Sequence, residues 1–287
     1  MGVDELARRV GLTAPELAQL EPSYHEFHIR KRSGGTRRIL APSPELKQVQ
    51  RRIHRRLLAK LRVHPAVKGF QRGESIVSNA RPHQRQAVVV RLDVRDFFDS
   101  TAAPRIAKYL RTIGWNRPAT RLLVRLCTHD GGLPQGAPTS PRLSNLVNYP
   151  LDARLAAAAR SCQAAYTRYA DDLTFSFAEA DSARVNCLKH VVRLILLDYG
   201  YRVHRRRKVH VRHRHRRQIV TGLVVNHRAA LPRETRRWLR AVRYRASYDW
   251  RTAPSEAQGP WRPRKDPTLS PEQLAGWNAL EKMISEK

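Results

Sequence analysis

A buried strand that ends on a carboxylate sets the frame for this sequence. Ala87–Leu92 is an apolar, β-branched run of the kind that fills a sheet interior, and it stops abruptly at Asp93. Farther along, Gln163–Arg168 and Leu173–Phe177 read as paired strands around Ala170-Asp171-Asp172, which puts two more carboxylates at a hairpin tip. Charges placed there project from rigid elements, as a precise metal site requires. Three carboxylates within a few ångströms repel one another and raise their own pKa values. Divalent cations remove that conflict, and Mg²⁺ held by one or two carboxylates plus substrate phosphates is the usual arrangement.

Taken alone, an Asp-Asp pair more often marks a solvated turn than a site. Its context here changes the reading: strand-forming segments flank Asp171-Asp172 on both sides, and the Gly- and Pro-rich stretch Leu133–Pro141 lies between the acidic motifs. Two such ions would clamp an attacking 3′-oxygen and a leaving pyrophosphate oxygen.

Charge points to a polyanionic partner. The 287 residues carry 55 Lys and Arg against 24 Asp and Glu, a formal net charge of +31. A surface so charged repels itself unless something neutralises it, and nucleic acid does so by counterion release. An anionic membrane is the weaker reading, since no run of about 18 apolar residues occurs. Hydrophobic residues at 41% are enough for a buried core. Cys127, Cys162 and Cys187 are too few and too far apart for a disulfide framework or a zinc module. The N-terminus lacks a secretory apolar segment, so a cytoplasmic, bacterial-type location without membrane attachment is expected.

The remaining pattern mixes strands and helices without regular alternation, which fits an α+β fold better than a doubly wound sheet. Residues 1–20 read as a helical lead-in with Thr13 and Glu16 spaced as a capping box. Tyr24–Arg30 and Arg38–Ala41 read as strands joined by a Gly-containing loop, and a long helix is expected from Pro44 to Arg62. Its face of Arg51, Arg52, Arg55, Arg56 and Lys60 is either solvated or turned to phosphates. Helices are expected near 104–113, 117–128, 140–159 and 183–197, and strands near 208–212 and 218–225. From about 231 the chain reads as helical, with a Pro-rich interruption at 254–271.

In order, LDVRDFFDS, LPQGAPTSPRLSN and TRYADDLTFS resemble the palm of reverse transcriptases. The stretch Lys31 through Pro42 resembles the basic hairpin that closes over the incoming triphosphate. The resemblance covers roughly residues 24–226. It implies a right-hand polymerase with N-terminal helices and fingers in 1–86, a palm with interleaved fingers elements in 87–230, and a helical thumb in 231–287. Asp93, Asp171 and Asp172 would be catalytic ligands of two Mg²⁺ ions, with Mn²⁺ as an alternative. Phe98 would lie under the sugar and exclude a 2′-hydroxyl, unless it is plain core packing. Gln135 and Gly136 would line the nucleotide pocket. Lys31 and Arg37 would hold the triphosphate, although Arg30 and Arg32 are equally placed. Lys208 matches a lysine that would protonate pyrophosphate, with a solvated lysine as the alternative.

Gly73-Glu74-Ser75-Ile76 leading into Asn79-Ala80-Arg81-Pro82-His83, and Val220-Thr221-Gly222, are similar to signatures of bacterial retron enzymes. That likeness implies RNA contacts at Asn79, His83, Thr221 and Gly222, though His83 also suits a buried hydrogen bond and Thr221-Gly222 a simple turn. It further implies a structured non-coding RNA as template and primer, dNTPs as substrates, a branched RNA–DNA product, and an effector protein in anti-phage defence. Two departures stand out. His204 occupies a place where asparagine is expected, and Val209 follows Lys208 where threonine is usual. Arg233, Arg236, Arg237, Arg240 and Arg243 form a basic stripe for RNA or a solvated face, and Trp238, Tyr244, Tyr248, Trp250 and Trp261 either stack on bases or anchor a small core. Other readings are a different bacterial reverse transcriptase (group II intron-like, diversity-generating or defence-associated) and a non-catalytic RNA-binding scaffold. Intron enzymes usually carry further domains after the thumb, for which this chain is expected to be too short.

Overall fold

The computed structural model describes residues 1–30, 34–204, 209–247 and 269–286. The chain opens with α1 (Val3–Val10) and α2 (Ala14–Gln19). The expected capping box is formed: Glu16 N–H donates to Thr13 Oγ1 at 3.3 Å, and Thr13 N–H donates to the Glu16 carboxylate at 2.6 Å. β1 (Tyr24–Arg30) and β2 (Thr36–Pro42) follow as an antiparallel hairpin. Then α3 (Pro44–Ile53) runs into one π-helical turn, His54–Leu58, and stops before the expected end at Arg62. A distant residue ends it: Arg142 donates to the carbonyls of Leu58 (3.1 Å), Ala59 (2.9 Å) and Leu61, taking acceptors a further turn would have used. α3 packs with α1, α2, α5 (Ala103–Thr112), α6 (Arg117–Cys127) and α7 (Ser140–Val147) around one apolar core. A short α4 (Ile76–Ala80) lies between α3 and the sheet in sequence.

The central sheet is built on β3 (Val88–Arg95). β5 (Asp172–Phe177) pairs along one edge, with β4 (Ala164–Tyr169) beyond it. The other edge is shared by β7 (Val209–His213), opposite Val88–Leu92, and β6 (Arg202–Val203), opposite Val94 and Arg95. That second partner carries β3 past its expected end, so Asp93 lies inside the strand rather than at its end. Alternation sorts the side chains: Val88, Val90, Leu92 and Val94 enter a core with Leu151, Leu155, Leu188 and Val192, while Arg91 and Asp93 take the other face.

The last two residues of that apolar set lie on α9 (Ser182–Asp198), and Leu151 and Leu155 on α8 (Tyr149–Ser161). The single helix expected over 140–159 is two, divided at Asn148, with Pro150 seated in the first turn of α8 where its missing N–H costs nothing.

Downstream, the strand expected over 218–225 is a small hairpin of β8 (Ile219–Val220) and β9 (Leu223–Val224). Its turn residues Thr221 and Gly222 both have positive φ, 45° and 85°, the combination that suits the twist of a two-residue hairpin. α10 (Arg233–Ser247) and α11 (Pro271–Ser285) pack over it through Leu239 and the edge-to-face pair Trp238–Trp277, whose centroids are 5.8 Å apart. Trp238 therefore anchors a core, and Tyr244 is exposed. Tyr248, Trp250, Trp261 and most of the Pro-rich interruption lie outside the described residues. No helix among the described residues is long and apolar enough to cross a membrane.

Candidate active site

The geometry of the candidate site begins with a two-residue turn. Tyr169 of β4 pairs with Asp172 of β5, which leaves Ala170 and Asp171 as the tip. Ala170 has φ 55°, a conformation that non-glycine residues hold only when their surroundings impose it. Those surroundings are specific. The Arg168 guanidinium donates to the Ala170 carbonyl at 3.1 Å and to Asn145 Oδ1 at 3.1 Å. It also grips Asp152 bidentately, Nε to Oδ1 and Nη2 to Oδ2, both at 2.7 Å. Both partners are completely buried, and Tyr166 adds a hydroxyl to the same carboxylate at 2.8 Å. The turn is thus braced from inside the protein by a fully satisfied charge pair.

The same turn docks onto β3. Val94 N–H donates to the Asp171 carbonyl at 2.9 Å, and Asp93 stands opposite Asp172 in the sheet register. Asp93 and Asp171 line one cavity of about 740 Å³, shared with Arg37, Phe98, Gln135, Tyr169 and Phe70. Burial, reinforced by the charge of Asp93, pushes the Asp171 carboxyl up to about 6. Two oxygen-donor side chains lining one cavity fit a hard divalent cation, which would offset the charge that Asp93 presents to Asp171.

Asp172 behaves differently. Its carboxylate is held by Arg91, with Nε 3.3 Å from Oδ1 and a second, closer contact from Nη2 to Oδ2. Burial raises its pKa while the Arg91 charge pulls the other way. Among the described residues, no three acidic, histidine or cysteine side chains are gathered into a ready-made metal site. The structure brings two of the three expected ligands to the cavity and turns the third to an arginine. Arg91 belongs in turn to a basic cavity of about 320 Å³ lined also by His210, Arg212, Arg216 and Arg217.

Residues 29–232 match the family Reverse transcriptase (RNA-dependent DNA polymerase). The chain belongs to that family. Within it the chain is of the bacterial retron type, as its relatives indicate. It is 36% identical to the Retron Mx162 reverse transcriptase of Myxococcus xanthus, over 83% of this chain and 57% of that protein. It is 39% identical to the Retron Mx65 reverse transcriptase of the same organism, over 76% and 55%. The chain thus spans just over half the length of these two curated relatives. A solved telomerase from Candida tropicalis shares the fold, with a TM-score of 0.50, 11% identity, and coverage of 73% of this chain and 55% of that one.

In this reverse transcriptase the other expected positions divide into three groups. Arg37, Phe98 and Gln135 line the cavity that holds Asp93 and Asp171. Phe97, beside Phe98 in a turn, is buried and stacks on Tyr201 at 5.5 Å, while its ring also meets that of Phe98 edge to face at 5.5 Å. Gly136 does not line the cavity; its φ is 137°, and a Cβ there would stand 2.6 Å from the Leu40 carbonyl. Glycine is needed because β2 passes close by, a contact also tied by Leu40 N–H to the Gln135 carbonyl at 2.9 Å. Lys31 and Lys208 lie outside the described residues.

The expected RNA-contact residues lie elsewhere. Asn79 and His83 have no exposed surface. The His83 ring nitrogens sit 2.7 Å from Ser176 Oγ and 2.8 Å from Thr167 Oγ1, and burial lowers its pKa to about 3, leaving a neutral imidazole in the core. Thr221 Oγ1 donates to the Ile76 carbonyl at 3.0 Å, and Asn79 Nδ2 reaches Thr221 Oγ1 at 3.4 Å. These two sequence signatures meet each other, fastening the β8–β9 hairpin to α4. Arg236 and Arg240 are exposed on α10, whereas Arg243 pairs with Glu281 of α11 at 2.5 Å.

Three participants escaped sequence reasoning: Arg91, Phe70 and the Arg168–Asp152 brace. Arg168 and Arg91, charges inside strand patterns, left a signal, and the others did not. His204, the departure noted above, lies beside Asp93: its N–H donates to the Asp93 carbonyl at 2.9 Å and its Nε2 is 3.8 Å from the carboxylate.

Proposed function

We propose that this chain is an RNA-directed DNA polymerase that copies a structured non-coding RNA into RNA-linked, branched single-stranded DNA, in the service of anti-phage defence. The observation that carries the polymerase reading is the meeting of Asp93 and Asp171 in one cavity with Phe98, Gln135 and Arg37. Asp93 and Asp171, joined by Asp172 once it leaves Arg91, would hold two Mg²⁺ or Mn²⁺ ions. Bound there, such ions supply Lewis acidity at the primer hydroxyl and neutralise the pyrophosphate. Arg37 would hold the triphosphate, Gln135 would orient the nucleotide, and the Phe98 ring would exclude a 2′-hydroxyl. Residues 1–86 would act as N-terminal helices and fingers, 87–230 as palm with interleaved fingers elements, and 231–287 as thumb, whose exposed Arg236 and Arg240 offer phosphate contacts.

The test is to express the chain with its upstream genomic DNA and sequence any RNA-linked DNA that accumulates. A short branched DNA that disappears with Asp172→Ala supports the whole reading. If no such DNA forms, but the purified protein extends a supplied primer on RNA, the polymerase stands and the branched product falls. Salt-sensitive RNA binding without extension would favour a scaffold instead.

A further inference from the structure

The catalytic cavity contains an exposed aromatic ring with no assigned task. Phe70 is 48% exposed, and it lines the cavity beside Asp93 and Asp171. Its ring centroid is 6.4 Å from that of Phe98 and 6.1 Å from that of Tyr169, tilted to both. Its backbone has φ 58°, a genuine outlier for a bulky side chain. Burial offsets that strain only in part, because about half of the side chain remains exposed.

The segment holding Phe70 is fastened to the catalytic turn. Lys68 N–H donates to the Arg168 carbonyl at 2.8 Å, and Arg168 N–H donates to the Ala66 carbonyl at 2.9 Å. Asn145 Nδ2 donates to the Gly69 carbonyl at 2.9 Å, while its Oδ1 accepts from Arg168, the residue that braces Ala170. Gly69 lies so close to the turn that a Cβ would stand 3.0 Å from the Ala170 nitrogen. Phe70 is therefore held in fixed relation to Asp171, at the expense of backbone strain.

We propose that Phe70 is a stacking platform for a nucleobase in the catalytic cavity, a positioning residue for the polymerase reaction on whose reading it rests. A flat apolar ring, exposed and held rigidly, suits a base face, and every base presents one. Either the templating base or the base of the incoming nucleotide would supply that face.

The test compares Phe70→Leu, Phe70→Asn and Phe70→Tyr with the unaltered protein in Mg²⁺-dependent primer extension on RNA. Leucine keeps apolar bulk, asparagine tolerates the positive φ, and tyrosine keeps the ring. Stacking predicts that Leu and Asn raise the KM for dNTP, or weaken template binding, by about 5- to 150-fold, as expected for roughly 1–3 kcal/mol per stacked base. Tyrosine should restore wild-type values, and thermal stability should not fall in the asparagine variant. 2-Aminopurine at the templating position distinguishes the source: loss of its quenching in Phe70→Leu assigns the template base, and an effect confined to the dNTP KM assigns the incoming one. An unaltered protein that extends, with a leucine variant equal to it in KM, template binding and fluorescence, would overturn the proposal and leave the polymerase intact. Failure of the unaltered protein to extend would overturn both.

Discussion

Two arginine–aspartate pairs flank the hairpin that carries Asp171, and they are unlike in every respect that matters. Arg168–Asp152 lies behind it, fully buried, bidentate at 2.7 Å, with further partners in Tyr166, Asn145 and the Ala170 carbonyl. Arg91–Asp172 lies in front, with 30% and 18% of the two side chains exposed. Arg91 also opens onto a cavity shared with four other cationic or imidazole side chains. The buried pair has no alternative partner, so breaking it strands a charge in the core. The second pair is half-buried, and under the proposed function each member would gain another partner, a divalent ion for Asp172 and phosphate for Arg91. On that reading one pair is a fixed brace and the other a replaceable counterion.

That contrast makes predictions, beginning with the largest. Arg168→Met should cost about 3–5 kcal/mol of stability by leaving Asp152 unpaired, read as a lowered urea midpoint. Replacing both partners by apolar residues of similar volume should recover most of the loss. A double variant as unstable as the single one would deny that the unpaired charge is the cause.

Next in size is a pH effect on the buried side. His83 has a folded pKa of about 3 against an ordinary 6.5, so below 6.5 only the unfolded chain takes up its proton. Stability is complete above 6.5 and should fall by about 1.4 kcal/mol per pH unit toward pH 3. Asp171 acts oppositely: its pKa is raised from 3.8 to about 6, so its contribution is present at low pH and is lost as pH rises through 6. An Asp171→Asn background, assayed by urea titration between pH 4 and 7, should expose the steeper His83 slope. A flat profile in that background would mean His83 is not held neutral.

Smaller still in free energy is discrimination in the cavity. Phe98→Ala should admit ribonucleotides, with dNTP preference relaxed on the order of ten- to hundredfold in competition assays. Unchanged preference would return Phe98 to simple packing. The smallest stability effect is expected at the half-buried pair, Arg91–Asp172. Arg91→Gln should change stability by no more than about 1 kcal/mol, yet lower the Mn²⁺ concentration needed for binding, measured by titration of the protein without nucleotide. Weakened Mn²⁺ binding would show that Arg91 supports the site instead of competing for Asp172.

Much of this arrangement was readable from the residues in order. The apolar run before Asp93 and the paired strands around Asp171-Asp172 announced sheet, turn and carboxylates, because periodicity and turn chemistry are local. What stayed hidden depends on partners far along the chain. Arg142 ends the helix that periodicity extended to Arg62, from 84 residues away at Leu58. His83 meets Ser176 across 93 positions and Thr167 across 84, which converts a suspected RNA contact into a buried tie. Asp172 and Arg91 are 81 residues apart, so no spacing rule could have revealed that one expected ligand is already engaged. Gly136, expected in the nucleotide pocket, instead lies against the Leu40 carbonyl, a partner far away in sequence.

The most direct measurement is Mg²⁺-dependent extension of a DNA primer on an RNA template by the unaltered protein and by Asp172→Ala, with RNA affinity and thermal stability recorded for both. A replaceable counterion at a polymerase site predicts extension by the unaltered protein, none by the variant, and RNA affinity and stability nearly unchanged. Extension retained by Asp172→Ala would contradict the carboxylate assignment, and no extension by either would contradict the polymerase itself.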